Sequence, residues 1–386
     1  MMQRVSPVQK NFGLADDELI RHLMLQSGVY KPLSRDDVRL DTDNLDSSQV
    51  DNQTVTDNQT NPEFHINQQF KEALSLYESK DFENAYHLFE ELADKGLIPG
   101  LYYQAIMIYD GKGAEENAAV GFALMQKVYE MSLISPVDVE FRHLACYHLG
   151  NACAQGYGTS RSEELAVSWW QRAANEILFD PHKNVEKQVV TDAGVLCQTA
   201  MGSYYSRCSK PEGADYTKAF YWHSEAARNG NISSVAQMGM FYLYGLGCQK
   251  SSALAHEHLL LAGTRNNICA IGHIALYYLE NNMAESAYSW AVRAADIVGN
   301  LKGLDAGKVD TIIRQVTSSS ANRGDEEDTK RSLAMSLFIL GYLYETGRDC
   351  VARGRYTAAD YYSAASKIDL DAVLFLGNRL KLGRSA

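Results

Sequence analysis

His256 and His258, in the run AHEHLLLAG, are of the type that holds zinc or moves protons. On a helix, residues two apart project to different faces, whereas a zinc-protease pair needs spacing i and i+4. His223 and Glu225 have the same two-residue spacing, and His143 and His148 are five apart. Each of these histidines therefore reads as a surface or packing residue. The cysteines at 146, 153, 197, 208, 248, 269 and 350 lack paired metal spacing and read as buried thiols. GLDAGKV at 303–309 has one residue too few between its glycines for a phosphate loop, and Val309 stands where a magnesium-binding hydroxyl belongs. GKG (111–113), GYG (156–158) and GLG (245–247) lack the third glycine and preceding strand of a dinucleotide fingerprint. No GxSxG nucleophile context occurs. The reading is a non-enzyme, with no catalytic residue, metal or cofactor assigned. A site assembled from distant residues is the lesser alternative.

Four tryptophans could make an aromatic cage for a cation or a base. Three of them instead share a recurring slot: Ala166–Trp169–Ala173, Ala219–Trp222–Ala226 and Ala287–Trp290–Ala294, with Ala358–Tyr361–Ala365 as a fourth copy. Spacings of three and four put these residues on one helix face, so the aromatic is expected to wedge between neighbouring helical hairpins. Trp170 is expected to face elsewhere.

The elements that carry these residues repeat. AQMGMFYLYGLG (236–247) and KAFYWHSEAARNG (218–230) show the unit most clearly: a small residue, a glycine turn, then an aromatic flanked by alanines. Aligned small residues are Ala105, Gly150, Gly202, Gly239, Ala275 and Gly341, and the unit is about 36 residues where nothing is inserted. Hairpins are expected near 64–96, 99–132, 141–176, 193–230, 231–264, 267–298 and 330–368, with a terminal helix at 370–383. Loop insertions are expected near 178–192 and 299–328. A lone hairpin would expose its apolar face, and stacking buries it. The fold class is all-α: a right-handed superhelical solenoid of antiparallel helix hairpins over 63–386.

Residues 1–62 differ. Residues 14–30 can form a short helix, but from Asp41 to Asn61 the chain is almost wholly Asp, Asn, Gln, Thr and Ser. Such a segment buries too little apolar surface to offset its ordering entropy and is expected to be disordered. The chain carries 36 basic against 48 acidic residues, a net charge of −12, which argues against nucleic acid as a partner. It has neither a signal peptide's apolar core nor a run long enough to span a bilayer. The expectation is a soluble cytoplasmic protein, in which the sequons at Asn52, Asn58 and Asn231 are chance matches.

AQMGMFYLYGLG with KAFYWHSEAARNGN resembles the Sel1-like repeat, a relative of the tetratricopeptide repeat with glycine-rich turns. The opening hairpin, 64–96, is closer to a plain tetratricopeptide unit. Together with YTKAFYWHSEAARNGN (216–231), this order resembles the megalin-binding protein family, adaptors implicated in binding the cytoplasmic tail of the endocytic receptor megalin. The resemblance implies a protein-interaction adaptor whose concave surface holds a partner peptide. On tetratricopeptide analogy, contact side chains lie three before, one after and four after the small residue. These are Tyr102, Ile106 and Tyr109; Asn151; Thr199, Ser203 and Ser206; Met240 and Leu243; and Tyr342 and Glu345. A scaffold in a chaperone or protein-degradation complex is the second reading, and an enzyme or enzyme-inhibiting module the third. Oligomeric state stays open.

Overall fold

The computed structural model describes residues 62–135, 138–178, 190–207, 213–299, 323–347 and 357–382. The segment expected to be disordered, the helix at 14–30, residues 179–189 and 300–322 of the two insertions, Cys208 and Cys350 lie outside the described residues. Among the described residues, every regular element is helical: α1 (Pro62–Glu78), α2 (Phe82–Asp94), α3 (Ile98–Asp110), α4 (Ala118–Ser132), α5 (Val139–Gln155), α6 (Glu163–Glu176), α7 (Asp192–Ser206), α8 (Tyr216–Arg228), α9 (Ile232–Tyr244), α10 (Ser252–Thr264), α11 (Ile268–Glu280), α12 (Ala284–Gly299), α13 (Arg323–Glu345), α14 (Ala358–Ile368) and α15 (Leu370–Leu382). No helix among the described residues is long and apolar enough to cross a membrane. The chain forms two compact units, Met1–Trp169 and Trp170–Ala386, whose boundary falls inside α6.

In the first unit, α1 to α5 build an aromatic core. Phe89 of α2 stacks on Tyr103 of α3 with ring centroids 4.6 Å apart, and Phe70 of α1 meets both rings edge-on. Tyr102, Ile106 and Met107 of α3 and Leu144 and Leu149 of α5 are fully buried, and the Tyr102 ring meets Phe141 of α5 edge-on at 5.5 Å. The α3 helix ends at Gly111, which takes the left-handed backbone that lets its N–H return to the Met107 carbonyl.

In the second unit, the hairpins α7/α8 and α9/α10 cross at their small residues. A Cβ on Gly202 would lie 2.6 Å from the His223 ring, and one on Gly239 would lie 2.7 Å from Leu259. Asn231 heads α9, where its side-chain oxygen accepts a hydrogen bond from the Ser234 N–H. Leu259, Ala255, Ala262, Ala236 and Ile274 form one buried cluster. Another joins Ile271, Leu333, Phe338, Ile339, Ala365 and Leu376 from α11, α13, α14 and α15. Residues 323–328, placed by the sequence reading in an inserted loop, are the first turns of α13. No proline interrupts the run to Glu345.

The tryptophans differ from expectation. Trp170 is 6% exposed, whereas Trp169 is half-buried with its ring edge-on to Tyr129. Ala166 and Ala173 mark a face centred between positions 169 and 170, so both tryptophans flank it by about 50° and periodicity alone cannot choose. In two other copies the position after the aromatic is the more deeply buried: His223 is 1% exposed against 6% for Trp222, and Ala291 is 0% beside a half-buried Trp290, whereas Tyr361 and Tyr362 are both half-buried. Trp170→Ala is expected to cost about 3–5 kcal/mol in a urea titration, and Trp169→Ala clearly less. Equal losses would contradict this assignment.

Candidate functional site

The second unit contains a cavity of about 470 Å³. Its walls come from the first helices of successive hairpins: Ser203 and Ser206 of α7, Gln237, Met240, Phe241 and Tyr244 of α9, His273 of α11, and Arg331 and Met335 of α13. Arg207 at the end of α7, Tyr216 and His223 of α8, and Leu246 complete that side. The terminal helix α15 supplies Asp371, Ala372 and Phe375. On α9 the lining residues recur at 237, 240, 241 and 244, one helical stripe.

Several contacts fix this wall. Thr199 Oγ1 of α7 lies 3.3 Å from Ser234 Oγ of α9, which is also 3.1 Å from His223 Nδ1. His273 Nδ1 donates to the Cys269 carbonyl, 2.9 Å away, and Ser332 Oγ of α13 donates to the same carbonyl at 2.7 Å. Arg379 of α15 makes a two-pronged ion pair with Glu280 at the end of α11, its second contact 2.9 Å. Arg331 Nε lies 3.4 Å from Asp369, just ahead of α15. These ion pairs tether the terminal helix to α11 and α13, holding Phe375 at the cavity.

Electrostatics follow from burial. Desolvation pushes the His223 imidazole down to about 3, with the Arg207 charge acting in the same direction, so it is a neutral ring. Burial pushes the Tyr244 hydroxyl up, and Arg379, Glu280 and Arg331 all lie close enough to act on it. His223 meets the hydroxyl of Ser234, which is 0% exposed and also contacts Thr199, so this pair lies inside the packed wall.

The residues chosen by tetratricopeptide analogy divide three ways. Ser203, Ser206 and Met240 line the cavity. Tyr102, Ile106, Tyr109, Thr199 and Leu243 are no more than 6% exposed, so they pack within the fold and present no surface to a partner. Tyr102, for example, has its hydroxyl 3.1 Å from His148 Nε2, and Thr199 donates to the Val195 carbonyl. Asn151 and Tyr342 are half-buried, and Glu345 is exposed and accepts a hydrogen bond from Tyr362, all away from the cavity lining. The reading missed Arg207, Gln237, Tyr244, His273, Arg331 and Phe375. A stripe two before and five after the small residue would have found Arg207, Gln237, Tyr244 and His273.

The histidines considered for metal chemistry have separate partners. His256 Nε2 lies 2.9 Å from the Tyr278 hydroxyl, and His258 Nδ1 donates to the Leu254 carbonyl. Glu225, beside His223, pairs with Arg228 at 2.8 Å. No group of three or more His, Cys, Asp and Glu among the described residues could hold a metal ion. Cys146, Cys153, Cys197 and Cys269 are buried thiols and Cys248 is half-buried.

Antiparallel hairpins with small residues at their crossings, and a cavity walled by first helices, define an α-helical repeat solenoid. The family model for the Sel1 repeat matches residues 73–97, 143–176, 195–231, 232–267 and 334–369, so the chain carries Sel1 repeats. The first match lies in the opening hairpin, which the sequence reading placed nearer a plain tetratricopeptide unit. A Sel1 repeat protein from Oxalobacter formigenes superimposes with a TM-score of 0.54 at 17% identity, covering 78% of this chain and all of that one. The c5321 protein, a protective antigen of uropathogenic Escherichia coli strains displaying an SLR fold, gives 0.51 at 20% identity over 82% of this chain and 65% of its own length. These likenesses establish the fold.

Proposed function

We propose that the chain is a non-catalytic interaction scaffold in which the second unit holds a peptide segment of a protein partner. The carrying observation is the cavity of about 470 Å³, walled by first helices and lined by aromatic and thioether side chains among serines and arginines. That volume and mixture suit side chains presented by a partner segment. Ser203, Ser206 and Met240 are its first contacts. The finer reading comes from the sequence resemblance: the segment belongs to the cytoplasmic tail of a megalin-type endocytic receptor, which sets the protein in the cytoplasm.

The test is capture of a synthetic megalin-type tail peptide by the full chain, alongside Met240→Asp, which puts a charge into the apolar floor. Capture by the native chain, weakened at least about tenfold in a variant of unchanged helical content, is the expected result, equivalent to about 1.4 kcal/mol. No capture by the native chain would sink the receptor reading.

A further inference from the structure

We propose that the cavity takes a tryptophan side chain of the partner segment, with its indole N–H donated to Nε2 of His223. This rests on the peptide-binding reading above and names the anchor of the partner.

A count of hydrogens along the wall carries this assignment. Thr199 Oγ1 donates to the Val195 carbonyl at 3.0 Å, which uses its one hydroxyl hydrogen. The 3.3 Å contact between Thr199 Oγ1 and Ser234 Oγ is therefore donated by Ser234. That spends the Ser234 hydrogen, so the 3.1 Å contact between Ser234 Oγ and His223 Nδ1 needs its hydrogen on Nδ1. Burial keeps the ring neutral, so Nε2 carries a lone pair and no hydrogen. The ring lines the cavity while its Nδ1 lies inside the wall. The opposite edge lies over Gly202, where a Cβ would stand 2.7 Å from Nε2. Ser206, one turn on from Gly202 and also in the lining, gives its own hydrogen to the Gly202 carbonyl at 3.0 Å. Among the described residues nothing donates to Nε2. An anchor that covers this corner must bring the hydrogen that solvent otherwise supplies. The Phe241 ring lies 5.7 Å from the His223 ring, and Met240, Met335 and Phe375 line the same cavity, so an aromatic body has ring and thioether surface to pack on. Among side chains, indole alone is large, uncharged and a donor with no acceptor of its own. A phenol or a carboxamide adds lone pairs that this corner cannot satisfy, and Lys or Arg adds a charge that is costly to bury.

Fluorescein-labelled peptides Gln-Ala-X-Ala-Gln, with tryptophan, tyrosine, phenylalanine or benzothienylalanine at X, test this by anisotropy on the full chain. Benzothienylalanine keeps the shape of tryptophan and replaces its N–H by sulfur. The tryptophan peptide is expected to bind at least about tenfold tighter than each of the others. In His223→Leu its margin over the benzothienyl peptide should fall below about twofold. Nitrogen-15 NMR of the histidine-labelled chain should place the His223 hydrogen on Nδ1, and the Nε2 resonance should move when the tryptophan peptide binds. Equal or tighter binding of any of the other three peptides would overturn the proposal and leave the peptide-binding reading standing. So would a margin that survives His223→Leu, or a hydrogen found on Nε2. Binding of none of the four would overturn both.

Discussion

Gly247→Ala is expected to destabilise the second unit by about 2–5 kcal/mol, far more than an alanine at an ordinary turn glycine. Two costs combine. Gly247 holds a φ of +66°, where an alanine is strained by about 1–2 kcal/mol. In addition, a Cβ there would lie 2.0 Å from the Tyr216 carbonyl oxygen, at the start of α8. The obstacle is backbone, so relief requires shifting the turn after α9 away from the preceding hairpin, an overpacking cost of about 1–3 kcal/mol. Gly230 provides the internal control. Its φ is +91°, but nothing lies within 4 Å of a Cβ there, so Gly230→Ala should incur the strain alone. Urea titration with hydrogen exchange on the α8 and α9 amides measures both variants. Equal losses at 230 and 247 would show that the contact contributes nothing. The same geometry recurs in the first unit, where Gly113 faces the Phe82 carbonyl at 2.0 Å and Gly158 faces that of Ala118 at 2.1 Å.

This recurrence marks where sequence reasoning reached its limit. The glycine pairs and spaced alanines made the hairpins and the fold class legible, because each hairpin repeats a 3.6-residue period and a turn signal. The first glycine of each pair acts as a helix end in left-handed conformation, as at Gly245. The second glycine's contact was not legible, because the carbonyl it touches is some thirty residues earlier and carries no side-chain signature. Trp169 and Trp170 were ambiguous for a different reason: the flanking alanines define a face that either can occupy. The candidate site was legible only in part. The analogy placed contact positions three before, one after and four after the small residue of each first helix. Here α3 is buried nearly all round, so Tyr102, Ile106 and Tyr109 became core. The terminal helix also escaped notice as a lining element. It reads as a cap, yet its Leu376 joins the buried cluster of α11 and α13, and the Arg379–Glu280 and Arg331–Asp369 pairs tie it across both helices.

His223→Leu is expected to lower the acid sensitivity of the second unit by about 2 kcal/mol between pH 7 and pH 5. In the folded chain burial holds this histidine down to about 3, against about 6.5 when exposed. Below pH 6.5 the unfolded chain therefore binds a proton that the folded chain refuses, and stability falls with pH until the folded pKa is reached. Between pH 7 and pH 5 the loss from this one ring is about 2 kcal/mol. Leucine is the substitute that the repeat itself suggests: Leu259 occupies the corresponding place and packs over Gly239 as His223 packs over Gly202. At pH 7 the variant gives up the contact with Ser234 Oγ, worth about 1 kcal/mol, although Ser234 keeps Thr199 at 3.3 Å. At pH 5 the order should narrow or reverse, because the native chain has lost about 2 kcal/mol that the variant has not. His148, which desolvation holds down to about 4, produces a similar acid loss in the first unit. The comparison is therefore read from hydrogen exchange of the α8 and α9 amides at the two pH values. Parallel losses in native and variant chains would mean that His223 takes up its proton in the folded state without penalty, and the buried neutral ring would have to be abandoned.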